Sequence, residues 1–315
     1  MRSLAALGLI ALISLPFWAA AQDDPPPEEA AGALVVGVFA PRIYFQNSLA
    51  RTSYANAIAA HLTAQTGVTF SGRGFATRGD FEGQVQSGRV QFAVVEAQLQ
   101  AERGYPALGQ GTTGGATGRA MVLAVGAGAP AAIGGLKGRT LAVVAVGAKD
   151  KSYIMNHLLQ GQVPADWFKT VAARDAQGAL GLVKLGKADA AFAFSGNTEG
   201  LAVAFQSRPV PLPVFVQVDK SVAADLVAKV RGALGSATAA NGVFAGFGAY
   251  DAAAVARLKG DLDAAPRAAG TEPVFAAPRS TLPPVPEFLE RGVLPFRAPD
   301  PAAGLAVPPP PADAF

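Results

Sequence analysis

The sequence contains no cysteine and only two histidines among its 315 residues. The absence of cysteine excludes disulfides, thiolate metal sites, cysteine nucleophiles and a lipid-modified N-terminal cysteine. His61 and His157 lie on separate predicted helices, outside any His-x-x-x-His pattern or acidic cluster that would hold a metal ion. We therefore expect two structural histidines, no metal and no cofactor.

Charge is also scarce. Charged residues make up 16% of the chain, and the net charge of +3 is not gathered in a basic block. This distribution argues against a nucleic-acid-binding protein. No nucleophile–base pair stands out, and Gly72-Arg73-Gly74 lacks the sequence context of a phosphate-binding loop. The sequence therefore predicts a protein that is not an enzyme and has no nucleic-acid partner.

The two ends of the chain differ from the rest in composition. Residues 1–21 combine a positive residue, an apolar run and an Ala-Ala-Ala cleavage site, which is typical of a Sec signal peptide. The alternative is a membrane anchor, but the apolar run is short and its following flank is acidic. Proline-rich segments cover the linker at 22–32 and the tail at 265–315. We expect a secreted periplasmic protein that is not a lipoprotein and has no stable membrane insertion after signal cleavage.

One stretch of sequence occurs twice. Residues 81–97 and 179–197 align at a constant offset, so that Gly88 corresponds to Gly186 and Gln91 to Asp189. In each copy a helix ends at a glycine followed by a cation, which suits a left-handed helix end and the helix dipole. The apolar run that follows predicts a buried parallel strand. The alternative is chance similarity in a chain rich in alanine and glycine, but the matching order of elements favours two similar lobes.

Predicted strands and helices alternate through the chain, which indicates an α/β fold with mainly parallel sheets flanked by helices. We place lobe one at 33–124 and 214–264 and lobe two at 125–213, with a strand at 214–218 running back between the lobes. Residues 147–152 are predicted to be a loop, and 153–160 a helix. Because ligands of such sheets bind beyond the carboxyl ends of strands, we expect the lobes to face one cleft.

The ordered motifs resemble a known family. LKGRTLAVV and VKLGKADAAFA in the second half, with HLTAQTGVTF and VQSGRVQFAVVEA in the first, are similar to the phosphonate-binding-protein-like branch of type 2 periplasmic solute-binding proteins. The resemblance covers about residues 33–264. It implies a two-lobe Venus flytrap that captures a small solute and delivers it to an ABC transporter permease. We expect the protein to be a monomer. The expected solute is anionic, either phosphate- or phosphonate-like or a carboxylate.

Members of this branch commonly carry a loop rich in serine and threonine after the first strand of lobe two. The matching loop, 147–152, has Ser152 as its single hydroxyl. Lys149, Lys151 and the helix amides still offer positive potential to an anion. Alternatively, the two lysines flank Asp150 in a surface turn that neutralises itself.

Candidate solute contacts follow the predicted strand ends. Arg42 can fork onto a carboxylate or phosphate, or remain a solvated charge. Tyr44 can contact the solute or pack beside Phe45. Glu96 would repel an anion unless it is paired, and it could instead receive a cationic or amine group, so the charge of the solute stays open. The full candidate set is Arg42, Tyr44, Thr77, Arg78, Glu96, Gln98, Lys149, Ser152, Ser195, Asn197 and Thr198.

A second hypothesis keeps the flytrap fold but not transport. The protein would then be a sensor or scaffold of the envelope, and its proline-rich tail would bind a protein partner. The motivation is the loop with few hydroxyls together with a tail that a simple transport receptor does not need.

Overall fold

The structure is a computed structural model that describes residues 32–238 and 244–275. The predicted signal peptide, nearly all of the linker and most of the proline-rich tail lie outside these residues. The elements given below belong to one compact unit that ends at Val274. Within the described part of the chain, no helix is both long and apolar enough to cross a membrane.

The first sheet has six strands in the order β11-β4-β10-β3-β1-β2. Strand β1 pairs parallel with β2 and β3, whereas β10 runs antiparallel between β3 and β4. The central strand β3 reads FAVV and is buried along its whole length, as expected for a strand inside an α/β sheet. The strands are β1 (Leu34–Phe39), β2 (Phe70–Gly74), β3 (Phe92–Val95), β4 (Ala107–Thr112), β10 (Val214–Gln217) and β11 (Gly246–Gly248).

The second sheet has five strands in the order β7-β6-β8-β5-β9. Strand β6 pairs parallel with β7 and β8, and β5 runs antiparallel between β8 and β9. The predicted lobe boundary between residues 124 and 125 falls inside β5, which lies wholly in this sheet. The strands are β5 (Gly118–Val125), β6 (Thr140–Val144), β7 (Lys169–Ala173), β8 (Ala190–Phe194) and β9 (Ala202–Pro211).

In each sheet, three parallel strands therefore form one side, and antiparallel strands extend the sheet on the other side. The expected two-lobe α/β fold is confirmed, with more antiparallel pairing than the mainly parallel sheets that were predicted. The antiparallel pairs involve β4, β9 and β11, which were not predicted, and also the predicted strands β5 and β10, which pair antiparallel with β8 and β3. The chain passes from the first sheet to the second after β4 and returns between β9 and β10.

Helices flank both sheets. Helix α1 begins at the cap of Asn47, whose side chain accepts a hydrogen bond from the Ala50 N–H at 2.8 Å, and it ends at Gly67, where φ is +74°. The predicted loop at 147–152 is wrong in its second half, since α4 begins at Asp150 and continues into a π-helical segment, Tyr153–Leu158. The helices are α1 (Ser48–Thr66), α2 (Arg78–Gln86), α3 (Ala97–Arg103), α4 (Asp150–Ser152), α5 (Ala176–Lys184), α6 (Ala224–Leu234) and α7 (Ala252–Asp263).

The sequence repeat is confirmed as a structural repeat. Gly88 and Gly186 have φ values of +70° and +66°, and each donates its N–H to the carbonyl three residues earlier at 3.0 Å. The side chains of Gln91 and Asp189 each accept a backbone N–H at 2.8 Å near the start of the neighbouring parallel strand, β1 or β6. The same helix end and strand placement therefore recur in both sheets, which puts the carboxyl ends of β3 and β8 in equivalent positions.

Candidate functional site

The loops that follow β1, β3 and β6 meet between the two sheets. Arg42 comes shortly after β1, Glu96 directly follows β3, and Asp150 starts the helix after β6. Together with three neighbours they form one group, connected by hydrogen bonds and by the contact of Arg42 with the Tyr153 ring, in which residues that follow strands of the first sheet contact residues that follow β6 of the second. We call this group the cleft network; its members are Arg42, Glu96, Gln98, Glu102, Asp150 and Tyr153.

Arg42 lies at the centre of the cleft network and is only 6% exposed. Its Nη1 donates to Gln98 Oε1 at 2.7 Å, and its Nη2 donates to Asp150 Oδ1 at 3.0 Å. The guanidinium also lies 3.9 Å from the centre of the Tyr153 ring. Because a buried cation requires paired charges and hydrogen bonds, these contacts tie the loop after β1 to the second sheet.

Glu96 is the most deeply buried carboxyl group of the cleft network, at 3% exposure. Its Oε1 accepts the backbone N–H of Arg42 at 2.8 Å. Burial raises the pKa of Glu96, and the positive charge of Arg42 only partly opposes this effect. Burial likewise raises the pKa of Tyr153 to about 12, so this phenol stays neutral at physiological pH.

Four consecutive backbone amides, those of residues 146–149, point at two carboxylates; we call them the amide row. Asp150 accepts from Val146 at 3.0 Å and from Gly147 at 3.2 Å. Glu102, which belongs to α3 beside the first sheet, accepts from Ala148 at 2.9 Å and from Lys149 at 3.2 Å. Convergent N–H groups of this kind form a concave binding surface for anionic oxygens.

Gln98 joins the two carboxylates that occupy the amide row. Its Nε2 donates to Glu102 Oε1 at 2.8 Å and to Asp150 Oδ1 at 3.0 Å, while its Oε1 accepts from Arg42. Gln98 and Arg42 were predicted from the sequence as site residues, whereas Glu102, Asp150 and Tyr153 were not. The available signal was the spacing of Gln98 and Glu102, four residues apart directly after a strand, which puts both on one helix face.

Further contacts between the two sides surround the cleft network. Arg51 of α1 pairs with Asp175, the cap of α5, at 3.3 Å, and both side chains are at most 10% exposed. The Ala176 N–H donates to the Pro41 carbonyl at 2.8 Å. Tyr44 is hydrogen-bonded to Glu199, which raises the pKa of the phenol. The two sides are thus in direct contact in this structure.

Ser195, Asn197 and Thr198 lie after β8 and are half-buried. The Ser195 carbonyl accepts a hydrogen bond from Arg119, the Asn197 N–H donates to the Phe194 carbonyl at 3.0 Å, and the Thr198 carbonyl accepts from Leu201 at 3.1 Å. These contacts shape a backbone turn beside Glu199, the residue that binds Tyr44. The structure therefore brings this stretch and Tyr44 to the same edge of the cleft.

The remaining candidates make contacts away from the cleft network. Thr77 caps α2 by accepting from the Asp80 N–H at 3.1 Å, and Arg78 pairs with Glu82 of the same helix at 2.9 Å. The ammonium group of Lys149 pairs with Asp263 of α7, although its backbone N–H belongs to the amide row. Ser152 Oγ donates to the Ala264 carbonyl at 3.4 Å.

The two histidines have structural contacts, as predicted. His61 Nε2 lies 2.8 Å from the Ala233 carbonyl. His157 is buried, and its Nδ1 lies 2.8 Å from Asp261 Oδ2; burial lowers its pKa. Within residues 32–238 and 244–275, there is no group of three or more histidine, cysteine, aspartate or glutamate side chains that could hold a metal ion.

A protein-family model described as "ABC transporter, phosphonate, periplasmic substrate-binding protein" matches residues 46–258, which is well over half of the chain. The chain belongs to this family. It is therefore a periplasmic solute-binding receptor of an ABC importer, as the resemblance of its motifs implied. A search of curated protein sequences gives no significant match.

Solved structures share the fold of this receptor. PhnD1 from Prochlorococcus marinus in complex with methylphosphonate has a TM-score of 0.57 at 12% identity, covering 74% of this chain and 97% of that one. The binding-protein component of an ABC phosphonate transporter from Pseudomonas aeruginosa also has a TM-score of 0.57, at 14% identity over 73% and 85% of the two chains. A Xanthomonas citri protein bound to ATP has a TM-score of 0.56 at 14% identity over 73% and 97%. At these identities the likeness shows the fold alone.

Proposed function

We propose that this receptor captures a small solute with an anionic group, phosphonate-, phosphate- or carboxylate-like, between its two lobes. It would release the solute unchanged to the permease of an ABC importer, as a monomer without enzymatic activity. The observation that carries this proposal is the amide row beside the buried guanidinium of Arg42. We propose further that the protein reaches the periplasm through its signal peptide and is not a lipoprotein.

The chemistry of the site favours an anionic group. The four N–H donors of the amide row hold carboxylate oxygens at 2.9–3.2 Å, and two of them, those of Ala148 and Lys149, hold a carboxylate that comes from the other side of the cleft. Arg42 adds a planar fork whose geometry matches a carboxylate or a phosphonate. The structural neighbours from Prochlorococcus marinus and Pseudomonas aeruginosa, one in complex with methylphosphonate and one a component of a phosphonate transporter, are consistent with this solute class.

Binding requires the cleft to open, because protein side chains occupy the amide row in the closed arrangement. Opening would separate Arg42 from Asp150 and Tyr44 from Glu199, with the connections at 113–117 and 212–213 as hinges. Closure over the solute would then bring Arg42 back against the amide row. In this mechanism Ser195, Asn197 and Thr198 line the edge of the cleft and contact the distal part of the solute.

The test is calorimetry of the purified mature protein with methylphosphonate, inorganic phosphate and acetate. We expect at least one of these anions to bind and to raise the melting temperature. Arg42→Met should weaken that binding at least tenfold, whereas Arg89→Met, which removes an exposed arginine after α2, should not. Absence of binding by every anion in the wild-type protein would contradict the proposal.

The alternative of a sensor or scaffold stays a hypothesis, since residues 276–315 lie outside the described part of the chain. Deleting 276–315 separates the two functions. Unchanged solute uptake by the truncated protein favours transport, whereas loss of a protein partner without loss of solute binding favours the scaffold.

A further inference from the structure

Glu102 reaches the amide row from the opposite side of the cleft. It belongs to α3, which follows β3 of the first sheet, whereas the amide row follows β6 of the second. Its two carboxylate oxygens accept from Ala148 and Lys149 at 2.9 and 3.2 Å. Asp150, in contrast, lies on the same loop as the Val146 and Gly147 amides that it binds. Glu102 is therefore the carboxylate that must leave the amide row when the two sides separate.

The surroundings of Glu102 fit its carboxylate closely. A Cβ atom built on Gly147 would lie 2.2 Å from Glu102 Oε1, so the glycine leaves the space that the carboxylate fills. Gln98 Nε2 donates to the same oxygen at 2.8 Å and fixes its orientation. A third donor and a glycine with room for the oxygen distinguish this contact from an incidental surface hydrogen bond.

We propose that Glu102 is an internal stand-in for the anionic group of the solute. Its carboxylate binds the amide row in the empty protein, holds the cleft closed, and is displaced when a solute binds. This inference rests on the proposed function. It also assigns a specificity role to Glu102, because a tethered carboxylate competes at a high effective concentration. A monoanion such as acetate has the same two oxygens and single charge as the Glu102 carboxylate, whereas a phosphonate has an additional oxygen and can carry more charge.

Charge supports this role. The described members of the cleft network are one cation, Arg42, and three carboxyl groups, those of Glu96, Glu102 and Asp150. A bound anion therefore competes with carboxylates for the same positive partners. Neutralising Glu102 removes both a competitor for the amides and a repulsive charge, so the affinity for anions should rise.

The experiment compares the wild-type protein with Glu102→Gln, Gly147→Ala and a matched control, Glu272→Gln, which changes an exposed glutamate. Small-angle scattering measures the radius of gyration without solute, and calorimetry measures the Kd for methylphosphonate and inorganic phosphate. Circular dichroism checks that each variant is folded. We expect Glu102→Gln to expand the empty protein and to lower the methylphosphonate Kd at least tenfold, which corresponds to about 1.4 kcal/mol.

Gly147→Ala is the second test, because its methyl group takes the space of the Glu102 carboxylate. It should expand the empty protein as Glu102→Gln does, while Glu272→Gln should match the wild type. If the wild-type protein binds the anions but Glu102→Gln changes neither the radius nor the Kd, the stand-in role is overturned and the proposed function stands. If no variant binds any of the anions, the proposed function and the stand-in role both fail, whatever the radius shows.

Discussion

Replacing Arg42 by methionine tests how strongly the cleft network holds the protein together. The substitution keeps much of the apolar stem and removes the guanidinium that joins Gln98 to Asp150. The backbone N–H of residue 42 remains, so Glu96 keeps its hydrogen bond. The change therefore removes the charge and its two side-chain hydrogen bonds but leaves the loop after β1 otherwise intact.

The expected loss in the free energy of unfolding depends on the burial of the ion pair and on the hydrogen bonds that Asp150 keeps. Breaking a buried ion pair by removing one partner costs about 3–5 kcal/mol, chiefly because the other charge is left unpaired. The penalty for leaving Asp150 unpaired is smaller than this, because its side chain is 17% accessible to solvent and keeps its hydrogen bonds to the amide row. We therefore expect a loss of about 2–3 kcal/mol, or about 4–12 °C in melting temperature for a unit of this size.

Scanning calorimetry of the solute-free protein measures the change, with Arg89→Met as the matched control at an exposed arginine. A double-mutant cycle with Asp150→Asn then isolates the pair, and we expect a coupling energy of about 1–3 kcal/mol. A loss no larger than that of the control, together with zero coupling, would refute the account of Arg42 as a buried, paired cation.

Three further predictions concern pH and helix ends. Burial raises the pKa of Glu96 above 4.5, so its ionisation costs stability at neutral pH; Glu96→Gln should raise the melting temperature at pH 7, and the gain should vanish below pH 4.5. Burial lowers the pKa of His157 below 6.5, so acidification below that pH should destabilise the wild type more than His157→Gln, as melting curves at each pH will show. Gly88→Ala and Gly186→Ala should each lower the free energy of unfolding by about 1–2 kcal/mol, because both glycines have positive φ. Gly181→Ala inside α5 should instead raise it by about 0.5–1 kcal/mol, and chemical denaturation measures all three changes. Unequal losses at the two helix ends, or a loss at Gly181, would contradict this reading of the repeat.

Much of the fold could be predicted because local signals and tertiary structure agree. Gly67, Gly88 and Gly186 each follow a helix and adopt the left-handed conformation that closes a helix end. Strand β9 escaped prediction because it contains Pro209 and Pro211, which disfavour strands. The structure places β9 at the edge of the second sheet, where a missing N–H is tolerated.

The site was less predictable, because its residues are brought together by contacts between opposite sides of the cleft, which join positions far apart in the sequence. Nothing local distinguishes Asp150 between two lysines from a solvated turn; its role depends on Arg42, which is 108 residues away in the sequence. Glu102 lies on the seven-residue helix α3, where its spacing from Gln98 places both on one face but does not identify the amide row as their partner. Arg42 and Glu96 could be chosen because each lies close to the carboxyl end of a strand, although the same criterion also selected Thr77 and Arg78, whose contacts lie within α2.

The proposed stand-in role of Glu102 links the stability of the cleft network to the affinity of the receptor. A solute can shift the equilibrium between open and closed forms only by its differential affinity for them. When the empty protein closes on its own carboxylates, the binding-competent open fraction is small, and the apparent Kd rises by the inverse of that fraction. Each 1.4 kcal/mol that Glu102 contributes to the empty closed form therefore weakens capture about tenfold. Arg42 differs from Glu102, because it pairs with Asp150 in the empty form and is also expected to bind the solute in the loaded form. Its removal should therefore lower both the stability of the empty closed form and the affinity for the solute. Opposite effects on affinity from Arg42→Met and Glu102→Gln, two members of one hydrogen-bonded group, are what distinguish a solute contact from a stand-in.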